Sequence, residues 1–149
     1  GVQTCALPIY PSNFRVDDCG TQRNLDARGR EQSKSIGVQF KTLGYSAEVV
    51  YSSPWCRCLE TARLMDIGPV RSFEGLGSFF EGHVDRSQTL EQLNTRLDSV
   101  ARARDKPVVM VTHQVVISAV TRMGTSSGEA ILYDPASAQS QRIRLSDND

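Results

Sequence analysis

The stretch EVVYSSPWCRCLETARLM, residues 48–65, is the most informative part of the chain about its fold. It starts with a short β-branched run bounded by Pro54, which predicts a buried strand. Residues 58–65 then repeat apolar positions at helical spacing, with Leu59, Ala62 and Met65 on one face. A strand followed directly by a helix is the unit from which α/β sheets are built.

Upstream of this stretch the pattern is helical. Asp26 is a candidate N-cap, because its side chain can accept a hydrogen bond from a free backbone N–H of the first turn. Ile36, Phe40 and Leu43 follow at helical spacing, and Gly44 is a natural stop. A helix is therefore predicted before the first strand.

Downstream, residues 66–87 are rich in glycine and predict a long loop of the kind that often carries function. Thr89 and Gln92 have the spacing of a capping box, which predicts that a helix opens there. The inner face of that helix would carry four apolar residues: Leu90, Leu93, Leu97 and Val100.

The last part of the chain continues the alternation of predicted strands and helices. Residues 107–112, PVVMVT, predict a strand buried on both faces, and residues 115–123 return to a helical pattern. Residues 128–134 and 141–146 predict two final strands, the second of them an exposed edge. The predicted fold is α/β, with a mostly parallel sheet flanked by helices on both faces.

Two polar residues follow predicted strands of this sheet. Arg57 comes after VVYSS, and His113 comes directly after VVMVT. In α/β sheets, ligands bind beyond the carboxyl ends of the strands. We therefore expect both side chains at a ligand site.

Arg57 would stand at a helix N-terminus, where free N–H groups and a planar guanidinium fork both suit a phosphate. Ser52 and Ser53 could add hydroxyl donors. The alternative for Arg57 is a solvated arginine at a helix start. His113 is either a cation or proton donor facing the same ligand, or a histidine that caps a buried strand and bonds only to backbone.

The overall composition limits the partners of the chain. Its 149 residues are typical of one domain, and 17 Lys and Arg residues balance 17 Asp and Glu residues. A net charge of zero argues against broad electrostatic binding to nucleic acid or to an anionic membrane. Any anion site must be a local cluster of cations.

The four cysteines are Cys5, Cys19, Cys56 and Cys58. Their spacing, and that of the two histidines, does not suggest zinc ligands, so no metal site is expected. A disulfide between Cys19 and one of the later pair is one alternative, if the protein is exported. Buried free thiols are the simpler expectation.

Three stretches of the chain resemble motifs of the histidine phosphatase superfamily, which has the phosphoglycerate-mutase-like fold. SSPWCRCLETARL, residues 52–64, looks like the second phosphate-site motif of that superfamily. VVMVTHQVVIS, residues 108–118, resembles its later histidine motif, and TQRNLDARGREQSKSIG, residues 21–37, resembles its first helix. FRVDDCGTQRNL and SGEAILYDP look like a bacterial subgroup of stand-alone phosphatases.

The resemblance implies a mechanism. In that superfamily, the histidine of an Arg-His-Gly motif attacks phosphorus, two arginines and a second histidine hold the phosphoryl oxygens, and a carboxylic acid protonates the leaving oxygen. Water then hydrolyses the phosphohistidine. By motif match, Arg57 is the later arginine and His113 the second histidine. Glu81 is our first expectation for the acid, and Glu74 the second.

The Arg-His-Gly motif should precede residue 11 at the end of a first strand, yet no histidine occurs before His83. Residues 1–9, GVQTCALPI, instead resemble the translation of a sequencing-library adapter. We therefore expect residues 1–9 to be non-native and residues 10–149 to form a phosphatase-like domain that lacks its first strand. A divergent native N-terminus is the alternative.

The resemblance thus implies a phosphomonoester hydrolase in the full-length parent and an inactive chain here. The alternatives are a non-catalytic phosphate-binding pseudo-phosphatase, or a phosphotransferase or mutase of the same fold. The expected partner is a small phosphorylated substrate, with no cofactor and no metal. A cytoplasmic and a periplasmic location both remain open.

Overall fold

The computed structural model describes residues 13–103 and 107–143, which together form an α/β fold. It has four helices in the described part of the chain: α1 (Ala27–Thr42), α2 (Cys56–Met65), α3 (Arg86–Ala103) and α4 (Gln114–Thr121). The strands described there are β1 (Val50–Ser52), β2 (Val70–Ser72), β3 (Val109–Val111), β4 (Ala130–Asp134) and β5 (Gln139–Ile143). The predicted non-native segment, residues 1–9, lies outside the described residues.

The main sheet is parallel and has the strand order β2-β1-β3. Val50 of the central strand is paired with Val70 on one side and with Val109 on the other. Strands β4 and β5 form a separate antiparallel hairpin, in which Ala130 is opposite Ile143. Helices flank the parallel sheet, so the predicted fold class is confirmed.

Helix α1 begins as the sequence predicts. The carboxylate of Asp26 accepts a hydrogen bond from the backbone N–H of Gly29 at 2.8 Å. Gly44 follows the helix with a φ of 80°, a left-handed conformation that favours glycine. Leu43, however, is 67% exposed, because it lies past the last helical turn and does not extend the apolar face.

Two predictions for residues 66–100 are wrong. The loop contains strand β2, which is only three residues long and is largely exposed, so it lacks the apolar signal of a strand. Helix α3 starts earlier than Thr89, because Asp85 is the residue that caps it. The Asp85 carboxylate accepts the N–H of Gln88 at 2.8 Å, and its carbonyl accepts the N–H of Thr89 at 3.0 Å.

The main core lies between the parallel sheet and the α1–α2 helix pair. Its buried members are Ile36, Phe40, Ala47, Val50, Trp55, Cys58, Ala62, Met65, Ile67, Val109 and Val111. A second cluster on the other side of the sheet is built around Leu76, Leu93 and Val116, from α3, α4 and the loop before α3. Burial on both sides holds the carboxyl end of the sheet in place.

A cavity of about 700 Å³ lies between β3 and β4. Val109 and Met110 line it from the parallel sheet, and Ile131 and Tyr133 line it from the hairpin. In the described residues, β3 is the last strand of its sheet, and β4 is paired only with β5. This cavity separates the two sheets.

Candidate functional site

The candidate site lies where β1 and β3 end. Ser53 directly follows β1, and His113 stands two residues after the end of β3, at the start of α4. The backbone N–H of Ser53 donates to the carbonyl of Val111 at 2.9 Å, which ties the two strand ends together. Helix α2 leaves from the same edge and carries Arg57 in its first turn.

Three of the predicted side chains meet there. Nη2 of Arg57 lies 3.2 Å from Nδ1 of His113, and Oγ of Ser53 lies 2.7 Å from Nε2 of the same ring. All three residues are buried, with Arg57 only 6% exposed. The juxtaposition of Arg57 and His113 expected from the sequence is therefore present, although their roles in binding and catalysis stay a prediction.

The partners of His113 define its tautomer. A guanidinium can only donate, so Nδ1 of His113 accepts from Arg57 and Nε2 carries the proton that is donated to Ser53. Burial, and then the positive charge of Arg57, hold the pKa of His113 well below its usual value. The ring is therefore neutral, and the positive charge of the pair resides on Arg57 alone.

Trp55 forms one wall beside the histidine. Its ring packs edge-on against His113 with 5.2 Å between ring centroids, and it contacts Phe14 on another side at 5.4 Å. The residue is 1% exposed, so its ring is packed inside the protein. Its backbone N–H donates to Oγ of Ser53 at 3.2 Å, so the tryptophan is linked to Ser53 as well.

Next to this wall is a second cavity of about 380 Å³. Apolar and polar side chains share its lining: Phe14, Val16, Pro54, Trp55, Glu74, His83, Val84, Gln88, Thr89 and Gln92. Glu74 stands two residues beyond the end of β2, at the same edge of the sheet as the strand ends of β1 and β3. The second cavity therefore lies on the β2 side of the candidate site.

The structure describes the side chain of Glu74 but not that of Glu81. Glu74 is exposed and lines the second cavity together with Trp55. Glu81 lies in a short 3-10 turn, Phe80–Gly82, and its side chain is outside the described part of the chain. The assignment of Glu81 as the acid therefore stays a prediction.

A disulfide joins Cys19 to Cys56, the first residue of α2. The simpler expectation of free thiols is wrong for these two residues, and the alternative pairing with one of the later cysteines is the one observed. The thiol of Cys58 is buried, with its Sγ 3.7 Å from Nε2 of His113. Cys5 lies outside the described residues.

Gln22 is a residue of this region that the sequence reasoning missed. Its side-chain oxygen accepts the backbone N–H of Cys56 at 2.9 Å, at the N-terminus of α2. One of the N–H groups expected to face a phosphate is thus already bonded. Gln22 is part of the TQRNL stretch, but nothing in that stretch indicates a contact 34 residues away.

The described residues contain neither a metal-ligand cluster nor a membrane-spanning helix. Among residues 13–103 and 107–143, no three His, Cys, Asp or Glu side chains come together in a way that could hold a metal ion. No helix within those same ranges is both long and apolar enough to cross a bilayer.

Comparisons with known proteins find similar folds but no similar sequences. No family model matches the chain, and no curated protein matches it. The structure of the protein histidine phosphatase SixA complexed with tungstate is similar with a TM-score of 0.60 and 15% sequence identity, over 96% of this chain and 91% of SixA. TTHB049 from Thermus thermophilus is similar with a TM-score of 0.54 and 20% identity, over 83% of this chain and 85% of that chain. These likenesses show the fold.

Proposed function

We propose that this chain is the greater part of a histidine-type phosphomonoester hydrolase, and that Arg57, His113 and Ser53 hold the phosphoryl group of a small substrate. The observation that carries the proposal is the buried contact of 3.2 Å between the Arg57 guanidinium and the His113 ring at adjacent carboxyl strand ends. A cation buried at such an edge suits an oxyanion. The likeness to SixA supports this, since tungstate is a tetrahedral oxyanion like phosphate.

Anion binding would rearrange the charges at the site. Arg57 turns donors toward the phosphoryl oxygens, because its planar fork matches two oxygens at once. The negative charge of the anion offsets both causes that keep His113 neutral, so binding favours the protonated ring, which can donate from both nitrogens. Positioning and charge neutralisation are the main requirements of phosphoryl transfer.

The attacking histidine comes from outside the described residues in this proposal. The superfamily resemblance implies a strand that ends in Arg-His-Gly, and the cavity between β3 and β4 supports a place for it. A strand residue packed between two layers fills a volume of about 160 Å³, which is the product of a rise of about 3.3 Å per residue, a strand spacing of about 4.8 Å and a layer spacing of about 10 Å. A cavity of about 700 Å³ therefore has room for about four residues.

A carboxylic acid must protonate the leaving oxygen. Glu74 is supported by its position, because it lines the cavity that Trp55 also lines, and Trp55 contacts His113. Glu81 is supported only by its place in the sequence, in the GSFFEG stretch of residues 77–82. In either case the leaving group would lie in the cavity of about 380 Å³, on the β2 side of the site.

The proposal is tested on the parent protein. The coding DNA upstream of residue 10 is read, the native segment is restored, and hydrolysis of p-nitrophenyl phosphate is measured. Arg57→Ala and His113→Ala should each lower kcat by about 100-fold or more, as expected when groups that act together are removed. Arg63→Ala is the matched control, since Arg63 lies on the exposed face of the same helix.

The same experiment separates the alternatives. A continuous native reading frame through residues 1–10, without a histidine, combined with phosphate binding but no turnover, would favour the pseudo-phosphatase. Transfer of the phosphoryl group to an added alcohol in preference to water would favour a phosphotransferase or mutase. Full hydrolysis by the Arg57→Ala and His113→Ala proteins would contradict the proposed site.

A further inference from the structure

We infer that the Cys19–Cys56 disulfide is a redox-sensitive link between residues 13–22 and the phosphate site, and that this link sets the affinity of the site for phosphate. This inference rests on the phosphate site proposed above. We call residues 13–22 the clasp; it is a compact segment in which Arg15 and Asp18 form a β-bridge. The disulfide attaches this segment to the first residue of the helix that carries Arg57. Reduction by a dithiol would remove that attachment.

The clasp is held to the site by three links. The disulfide is the covalent one, and the hydrogen bond from Cys56 N–H to the side-chain oxygen of Gln22 lies beside it. The side-chain amide of Gln22 also donates to the carbonyls of Arg15 and Val16, at 2.9 Å and 3.0 Å, which fixes its orientation. The third link is the ring contact between Phe14 and Trp55.

Trp55 transmits the position of the clasp to the phosphate site. It packs between Phe14 on one side and the His113 ring on another. Its backbone N–H donates to Oγ of Ser53, the hydroxyl that also bonds Nε2 of His113. A clasp that loosens therefore removes support from Trp55 and from the Ser53–His113 contact.

The chemical setting of the disulfide favours reduction. Cys19 is an exposed residue, so its sulfur is the accessible target for an attacking thiolate. Cys56 is the leaving group, and the thiolate form that it takes is stabilised at a helix N-terminus. A disulfide whose leaving thiolate is stabilised exchanges faster than one without such support.

The reaction is a two-electron thiol–disulfide exchange. A thiolate of the dithiol attacks Sγ of Cys19, the Cys19–Cys56 bond breaks, and Cys56 leaves as a thiolate. The second thiol of the reductant then displaces Cys19 and closes its own disulfide. The protein gains two electrons and holds two cysteines in the thiol or thiolate form, and the dithiol is oxidised to its disulfide.

Reduction weakens phosphate binding for two separate reasons. The clasp no longer supports Trp55, and the Cys56 thiolate places a negative charge at the helix N-terminus that the phosphate would use. We expect the Kd for inorganic phosphate to rise by about fivefold or more on reduction. Reoxidation should restore the original affinity.

The experiment uses the 149-residue chain with Cys5→Ser, so that only the clasp disulfide exchanges. Inorganic phosphate is titrated by calorimetry into the oxidised protein, into protein reduced with dithiothreitol under native conditions, and into reoxidised protein. Trp55 is the only tryptophan in the sequence, so its emission reports the clasp directly and without any ligand. Reduction should shift that emission to longer wavelength.

Two variants separate the causes. Cys19→Ser opens the clasp and leaves the Cys56 thiolate, whereas Cys19→Ser with Cys56→Ser opens the clasp and leaves no charge. The first should bind phosphate more weakly than the second. If a variant fails to fold, the reversible reduction of the Cys5→Ser protein still decides the matter.

Three results would overturn the inference. Equal phosphate affinities of the oxidised and reduced forms would reject the clasp while leaving the phosphate site intact. A disulfide that resists dithiothreitol until the protein unfolds would reject its redox sensitivity. Phosphate binding by neither form would reject phosphate binding by Arg57, His113 and Ser53 in this chain, and with it the redox control of that binding, whereas the hydrolase function is tested separately on the parent protein.

Discussion

Nη2 of Arg57 lies 3.2 Å from Nδ1 of His113, and the side chains come from residues 56 positions apart in the chain. One stands in the first turn of α2 and the other at the start of α4, after adjacent parallel strands. The contact places a permanent cation against a neutral ring inside the protein. The behaviour of the site toward anions and toward pH depends on that pair and on the packing that holds it.

Lysine should replace Arg57 poorly. In the restored parent protein, Arg57→Lys keeps the charge but loses the planar fork, so kcat/KM for p-nitrophenyl phosphate should fall by about tenfold or more. Steady-state kinetics measure the change, with Arg63→Lys as the control on the exposed side of α2. Equal losses in both proteins would mean that the guanidinium geometry at Arg57 is not used.

Stability should fall in mild acid because of His113. Its folded-state pKa is well below the value of 6.5 that it has when unfolded, so below pH 6.5 the unfolded chain binds a proton that the native chain does not. The contribution of His113 to native stability is therefore fully present above pH 6.5. It declines as pH falls, by up to about 1.4 kcal/mol per pH unit, until the pKa of His113 in the folded protein is reached.

Urea denaturation at several pH values measures this decline. His113→Gln should flatten the dependence, because the variant lacks the group that gains a proton on unfolding. His83 is exposed and is unchanged between the two proteins, so the comparison isolates the effect of His113. Parallel curves for the two proteins would contradict the assignment of a buried, neutral His113.

Removal of the Ser53 hydroxyl should lower the free energy of unfolding more than removal of the Ser52 hydroxyl. Oγ of Ser53 bonds the His113 ring and accepts the N–H of Trp55, so Ser53→Ala leaves two buried groups short of a partner. We expect a loss of about 2 kcal/mol in the free energy of unfolding. Oγ of Ser52 bonds only the carbonyl of Ser53, so Ser52→Ala is the matched control, with about 1 kcal/mol expected in chemical denaturation.

Gly37 should not tolerate a side chain. A Cβ there would overlap the backbone carbonyl oxygen of Met65, at the close approach of α1 to α2. Gly37→Ala should lower the free energy of unfolding by about 2 kcal/mol or more, because a backbone atom cannot yield as a flexible side chain can. Gly124→Ala, where nothing lies within 4 Å of the added Cβ, should change the melting temperature little.

The two candidate acids can be separated by their pH–rate profiles. In the restored parent, Glu74→Gln should lower kcat and remove the basic limb of the profile, because that limb reports loss of the proton from the general acid. Glu81→Gln is the paired variant, and the two proteins are assayed side by side. A normal profile for Glu74→Gln with a lost basic limb for Glu81→Gln would assign the acid to Glu81.

The alternation of strands and helices can be read from the amino-acid sequence alone, because helical and strand periodicities are local. The meeting of Arg57 and His113 can also be predicted from it, since the carboxyl ends of parallel strands lie at one edge of a sheet. The Asp26 cap is equally local, depending on one carboxylate and the N–H of Gly29 three residues ahead. These features need no knowledge of which distant segments pack together.

Three contacts depend on how distant parts of the chain pack together: the disulfide of Cys19 with Cys56, the hydrogen bond of Gln22 with Cys56, and the ring contact of Phe14 with Trp55. Each joins positions more than 30 residues apart, and no local periodicity encodes which distant partner a side chain will find. The short strand β2 belongs to the same class, because three largely exposed residues become a strand only through pairing with β1. The neutral state of His113 likewise depends on burial, which arises only when the chain packs around it.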